Sequence, residues 1–471
     1  MSARGQAPLA DVPAAVDPLL PALVADLLEL AAIPSIAFPG HPAEPMVEAH
    51  RWIVDALAAA GADQVQDLEV GDAAPTILAT FPGSRPDGPV VLLYAHYDVQ
   101  PPGDGWDTPP FTPTPYESEH GPAIWGRGVA DDKVNVIAQL GALQVFDGRP
   151  PVTVKVLVDS GEEYGNELEA LVLDQPTLFA ADVVVIADLG NLRPGTPTLT
   201  TALRGSADLL VEVRTLAGSC HSGSYGGAAP DALLTLLQAL ASLHTPTGDV
   251  AVQGLRRESW TDSELTEGEF RKLASVHDDV PLLGTGGLGE RLWSGPAITV
   301  TALDAPSVAD GPAAVQPYAR ARVNIRVHPA QDPYEAQQLV AQHLERAMPF
   351  GIPLKVTREY AGPGFDGSTE GPAYEAAVSA LRAAWETDTV SLVANGGSVP
   401  LVNALAASGA EVLLFGAQDN GSRQHAANER VVISELRATV IALSTLLTEL
   451  GHRCDGSTGA VGDDAHLAPP A

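Results

Sequence analysis

Four segments constrain the fold most: PVVLLYAH (89–96), VTVKVLVD (152–159), DVVVIAD (182–188) and EVLLFGA (411–417). Each is almost continuously apolar and rich in β-branched residues. Such runs suit strands covered on both faces, since a strand with one wet face would alternate. Helical patterns lie around them: MVEAHRWIVDALAAAG and NVIAQLGALQVF flank the first, and YEAAVSALRAAWE and ISELRATVIALSTLLTEL flank the last. Strands alternating with helices predict an α/β layer, a mostly parallel mixed sheet flanked by helices.

The stretch from Leu203 to Tyr360 reads differently. LRGSADLLVEVRT, the helix DALLTLLQALASLH, a polar loop-rich section, AITVTAL, ARARVNIRVHP, the helix PYEAQQLVAQHLERAM and LKVTREY follow in that order. This is a split β-α-β-β-α-β arrangement whose strands alternate, as in a sheet with one solvated face. The expected organisation is a first layer over 1–202, an inserted α+β domain over 203–361, the return of the first layer over 362–452, and a disordered tail over 453–471. Hinges are expected near TLTTAL and the Gly- and Pro-rich YAGPGFDG.

With 471 residues, 45% of them hydrophobic, the chain has ample material for a large core. No apolar run of 18 residues occurs, so no membrane span is expected. The N-terminus mixes Asp and Pro into its apolar part and does not resemble a signal peptide. The formal net charge is −33, which repels phosphate backbones and anionic lipid and argues against nucleic acid and membrane as partners. Two cysteines, Cys220 and Cys454, make no disulfide framework, so a reducing cytoplasm is the expected location.

The apolar runs end in chemistry. The first runs into His96 and Asp98, which two-residue spacing turns to the same side. The second leads to Glu162 and Glu163, the third to Asp188, and the fourth to a loop carrying His425. IWGRGVADDK places Asp131 and Asp132 just before a helix. Open α/β sheets bind ligands beyond the carboxyl ends of their strands. Taken singly, each residue has a plainer explanation: a surface histidine, a turn or helix-capping aspartate, a solvated pair of glutamates. Taken together, carboxylates at one spot would repel one another and raise their own pKa values. A divalent cation relieves that repulsion. Mixed imidazole and carboxylate donors suit Zn²⁺, with Mn²⁺ or Co²⁺ as alternatives, and the acidic groups outnumber one tetrahedral shell, so two ions are plausible.

HYDVQPPGDGW, GRGVADDK, DSGEEYGN, ADLG and RQHAANER, in this order and spacing, resemble the M20 metallopeptidases, di-zinc hydrolases of peptides and N-acyl amino acids. The resemblance covers nearly the whole chain and implies a catalytic domain with an inserted lid or dimerisation domain. It implies that His96, Asp131 and Asp188 hold one ion and Asp131, Glu163 and His425 the other, with Asp131 bridging. Asp98 would accept the far N–H of His96. Glu162 would act as general base on a metal-bridging water and then as acid toward the leaving amine. A cis peptide bond after the bridging aspartate is also implied.

On the substrate side, the resemblance gives His221, in SCHSGSYGG, the stabilisation of the oxyanion, often across a dimer interface; a surface histidine in a flexible loop is the alternative. Arg326 offers a clamp for a substrate carboxylate, or else an outward strand arginine in a salt bridge. Ser398 and the N–H of Gly397, in NGGSVPLV, would meet that carboxylate, unless they only start a helix; Asn324 is a further contact. Ala314 stands where some carnosinase-like relatives carry a substrate-assisting threonine. The expected function is hydrolysis of dipeptides or short peptides by a homodimer. An N-acyl amino acid amidohydrolase or metallocarboxypeptidase is the alternative, and a metal-loaded binding protein is disfavoured by the presence of Glu162.

Overall fold

The computed structural model describes residues 12–453 except 72–73, 86, 166, 261–264 and 398–399. Ser398 and, in the expected tail, 454–471 therefore lie outside the described residues; Arg453 closes the last helix, Ile433–Arg453. Among the described residues no helix is long and apolar enough to cross a membrane.

The four apolar runs become four neighbouring strands. Thr153–Asp159, Val90–His96, Val183–Ile186 and Glu411–Leu414 lie side by side in that order, and every pairing among them is parallel. Their carboxyl ends therefore share one edge. Thr76–Phe81 and Gln64–Leu68 extend one flank antiparallel. On the other flank Thr198–Leu203 meets Glu411–Leu414 antiparallel and Ser391–Asn395 parallel. The nine-stranded sheet is thus mixed, with a parallel centre and, apart from the parallel pairing of Ser391–Asn395, antiparallel pairings outside it.

Both faces of that centre are covered, which explains the absence of alternation. Val91, Leu93 and Ala95 pack into a cluster with the helices Leu20–Ala32, Lys133–Gln144, Pro372–Trp385 and Ile433–Arg453. Leu92 and Tyr94 point into a second cluster with Leu168–Asp174 and Pro400–Ala406. Each fully buried aliphatic side chain contributes about 1.5–3 kcal/mol. Within this layer Lys133 is fully buried. Its Nζ donates to the carbonyls of Leu30 (3.0 Å) and Ile33 (2.7 Å) at the C-terminal end of Leu20–Ala32, and burial lowers it to about 7. The start of the helix after Asp132 is thereby fastened to a neighbouring helix.

Residues 205–362 build a separate antiparallel sheet of four strands, ordered Ala297–Asp304, Tyr318–Val327, Gly205–Arg214, Lys355–Gly362. The helices Ala232–Ala241 and Pro333–Ala347 share its core, where Leu209, Val211, Val323 and Ile325 meet Leu236 and Val340. The section between Ala232–Ala241 and Ala297–Asp304 departs from its loop-rich reading. It carries the helix Glu267–Leu273 and a short π-helical turn at Glu290–Ser294. Its Leu265 and Trp293 return to the large sheet and pack with Leu192, Ala202, Val393 and Ala394. The apolar residues that do this are too widely spaced to register as a periodic element.

Candidate metal centre

The shared carboxyl edge gathers the charged residues. His96 is the last residue of its strand and wholly buried. Its Nε2 lies 3.1 Å from Asp131 Oδ1 and 3.7 Å from Asp188 Oδ1. His425 Nε2 lies 3.1 Å from the other oxygen of Asp131 and 3.0 Å from Glu163 Oε2. The two carboxylate oxygens of Asp131 thus face different imidazoles. One donor atom each from His96, Glu162 and Asp188 fall within 4.8 Å of one another, and so do those of Asp131, Glu163 and His425.

Different elements bring these groups in. Asp131 sits in the turn after the strand Gly121–Trp125, and the Asp131–Asp132 peptide bond is cis. The following helix has Asp132 at its N-cap position without a side-chain cap; the Asp132 carboxylate instead accepts the backbone N–H of His96 at 3.2 Å. His425 adopts φ 57°, in the left-handed region that disfavours a side chain, within a loop where Arg423 and Asn428 do the same. Its side chain is 57% exposed, against 3% for Glu163.

Asp98 works somewhat differently from the expectation. The Nδ1–H of His96 donates to the backbone carbonyl of Asp98 at 3.0 Å, with the carboxylate Oδ1 at 3.3 Å. That carboxylate accepts the backbone N–H groups of Glu162 (3.1 Å) and Glu163 (3.0 Å). One residue therefore fixes both the tautomer of His96 and the turn that carries the two glutamates.

Three contributors escaped the sequence reading. Glu429, fully buried, accepts from Arg127 Nη1 (2.7 Å) and from the backbone N–H groups of Gly128 (3.0 Å), Ala130 (2.9 Å) and Asp131 (3.0 Å). It holds the whole turn that presents Asp131. Its only sequence signal was its place at the end of RQHAANER. Gln100 donates to Glu163 Oε2 at 2.8 Å. Arg204, at the junction of the two sheets, reads in the sequence only as part of the strand run LRGSADLLVEVRT.

The electrostatics show how strongly these groups act on one another. Burial, reinforced by Asp188, pushes the Glu162 carboxyl well above its usual range. Burial likewise raises Asp188 to about 6. Hydrogen bonds to Asp131 and then Glu163 raise His425 to about 10. For His96, burial opposes the cation, but hydrogen bonds to Asp131, Asp188 and Asp98 outweigh it and push the imidazole up. Each of these shifts favours the protonated form and so reports the negative charge that converges here. Divalent cations neutralise that charge with the same donors and release the protons. Imidazole and carboxylate donors in two adjoining groups fit a pair of such ions.

The substrate-facing candidates are more scattered. His221 pairs with Ala314 in a two-stranded ribbon and is exposed. Its Nδ1 accepts the N–H groups of Gly223 (3.1 Å) and Ser224 (3.2 Å). Among the described residues no metal-cluster side chain is bonded to it. Asn324 donates to Asp208 Oδ1 at 2.9 Å, and the N–H of Gly397 is taken by Asn395 Oδ1 at 3.0 Å. Arg326 is half-buried beside Arg204.

Residues 92–449 match the family described as Peptidase family M20/M25/M40. A cysteinylglycine-S-conjugate dipeptidase of Corynebacterium striatum is 35% identical over 425 residues, covering 88% of this chain and 92% of the relative. The β-Ala-His dipeptidase of Homo sapiens is 26% identical over 398 residues, covering 79% and 76%. The crystal structure of human carnosine dipeptidase 1 superposes with a TM-score of 0.77 at 24% identity, covering 95% of this chain and 99% of that one.

Proposed function

The chain belongs to peptidase family M20 and is a hydrolase; from that premise we propose that it cleaves the amide bond of dipeptides with a pair of divalent ions. The observation that carries the reading is the placing of Asp131, one oxygen 3.1 Å from His96 Nε2 and the other 3.1 Å from His425 Nε2. His96, Asp131 and Asp188 would hold one ion, and Asp131, Glu163 and His425 the other. When bound, the ions, Zn²⁺ by donor type, acidify a water and polarise the scissile carbonyl.

The protein's own groups supply the rest. Glu162 takes the proton of the attacking water and returns it to the leaving amine; a buried carboxyl with a raised pKa is suited to both directions. Asp98 keeps Glu162 oriented through its backbone N–H. Because Nδ1 of His221 accepts two N–H groups, the neutral ring carries its proton on Nε2, a donor suited to a developing oxyanion. His221 reaches the reacting carbonyl by lid closure over 203–361 or from a second copy. The strand Ala297–Asp304 favours the second copy: it is an edge strand, exposed from Thr299 to Asp304, with Val300 and Leu303 facing water. Arg326 would meet the substrate carboxylate with Asn324 two residues before it on the same strand, and by the family resemblance Ser398 and the N–H of Gly397, released from Asn395, would join them. Two cysteines in the chain accord with a reducing cytoplasm.

Glu162→Gln tests the assignment. Metal content is expected to stay near that of the wild type while kcat falls by about 10² to 10⁴. Undiminished turnover in that variant would remove Glu162 as the base. A panel of dipeptides, N-acetyl amino acids and longer peptides tests the substrate class, and selective turnover of the N-acetyl compounds would replace the dipeptidase reading with that of an amidohydrolase.

A further inference from the structure

A cavity of about 410 Å³ has both Asp188 and Arg204 in its lining. One wall is the carboxyl end of Ser391–Asn395 with Gly396. A second comes from the excursion 265–293 of the inserted sheet, through Phe270, Leu273, Leu292 and Trp293, and a third from 188–190 and 418–420, where Asp419 is already paired with Arg430.

Arg204 is an unusual residue to bury. It is 9% exposed, its Nη1 makes one long bond of 3.4 Å to the carbonyl of Gly295, and its Nε has no partner among the described residues. Among the described residues no carboxylate pairs with it. The charged group acting on it is a second cation, Arg326, and burial with that repulsion lowers it to about 10. Gly396 presses against it so closely that a Cβ there would lie 2.9 Å from Nη2. Buried guanidinium groups are ordinarily matched by an anion, because an unmatched buried charge is strongly unfavourable. A buried guanidinium in the cavity lining with no anion beside it, and with Arg326 rather than a carboxylate as its charged neighbour, leaves a place for a carboxylate supplied from outside. The apolar wall beside it is equally unfinished: Leu273 remains 43% exposed.

We propose that this cavity receives the residue of the substrate that bears the free carboxylate, with Arg204 holding that carboxylate alongside Arg326 and with Phe270, Leu273 and Leu292 holding a bulky apolar side chain. The substrate class is then dipeptides with a large aliphatic or aromatic C-terminal residue. The inference rests on the dipeptidase reading and adds to it a residue and a preference.

The test uses the full-length, metal-loaded protein with Ala-Leu, Ala-Gly and the C-terminal amides of both. In the wild type, kcat/KM for Ala-Leu is expected to exceed that for Ala-Gly by about tenfold or more, and that for Ala-Leu amide by about 10- to 100-fold. Arg204→Met is expected to raise KM for Ala-Leu by about 10- to 100-fold while moving the amide by less than about twofold. Arg204→Lys restores part of the loss, and Phe270→Ser narrows the Leu-to-Gly ratio with metal content unchanged. Equal losses on acid and amide in Arg204→Met would overturn the role of Arg204. If that variant fails to fold, the wild type still decides: amides cleaved as well as acids overturn the proposal, and so does Ala-Gly cleaved as well as Ala-Leu. A wild type that cleaves no dipeptide at all overturns this proposal and the dipeptidase reading together, whereas cleavage without these distinctions overturns this proposal alone.

Discussion

Around Asp131 the turns that carry the cluster are tied down by buried carboxylates, while around Arg204 and His221 no carboxylate takes the donors among the described residues. Asp98 fastens the Glu162–Glu163 turn, Glu429 fastens the turn of Gly128 to Asp131, and Gln100 fastens Glu163. On the other side, among the described residues Arg204 Nε has no partner, and the exposed His221 makes hydrogen bonds through Nδ1 and none through Nε2. The difference follows from what each side meets. Ions demand fixed donor geometry before they arrive, so the protein completes that side internally. A substrate brings its own carboxylate and carbonyl, so the protein leaves donors free for them.

The contrast can be broken most sharply at Asp131. Asp131→Ala removes a donor from both proposed ions, and metal analysis is expected to show both sites emptied and turnover lowered by about three orders of magnitude or more. Retention of two ions would mean that Asp131 does not bridge. Chelation of the wild type is expected to abolish turnover and to lower the melting temperature, because an ion bound only by the folded state stabilises it.

Next in size is Glu429→Ala, which strands the buried Arg127 and frees the turn carrying Asp131. Denaturant unfolding is expected to show a loss of about 3–5 kcal/mol. A loss well below that range would mean the metal-facing side is not fastened where the hydrogen bonds indicate.

His221→Ala is expected to lower kcat by about 10²- to 10³-fold with metal content and melting temperature unchanged. Mixing that variant with Glu162→Gln would partly restore activity if the ring serves a second copy, and leave none if it serves its own.

The smallest effect concerns the excursion that walls the Arg204 cavity. Asp249 accepts from Thr247, Arg257 and Thr285, and the Thr285 N–H followed by Arg257 holds its carboxyl well below the usual range. A depressed folded pKa means stability that is present above the unfolded value of about 3.9 and lost as the pH falls below it. Asp249→Asn is therefore expected to remove less than about 1 kcal/mol at neutral pH, discounted for its solvent contact, and to flatten the acid limb of a stability profile.

Much of the metal-facing side was legible before any coordinates. A strand buried on both faces writes itself as an unbroken apolar run, so the four central strands and the residues just past their ends could be read directly. His96 and Asp188 end such runs, Glu163 and His425 lie in the segments that follow two others, Asp131 comes from the turn after Gly121–Trp125, and the structure brings the five together. Glu429 and Gln100 stood inside quoted motifs, yet their work consists of contacts with backbone N–H groups and carboxylates from distant segments. The family resemblance marks Asp98 as a partner of His96, but its grip on the glutamate turn has no local signature.

What the sequence determined by itself was therefore local: periodicity, strand ends, and the types of donor placed there. Tertiary structure decided which of those donors finish bonded to one another and which are left open. Burial, pairing and vacancy depend on segments far apart in the chain, and the return of 265–293 to the large sheet beside Arg204 is the clearest case. A side chain's partner is a property of the packed chain, and no local pattern records it.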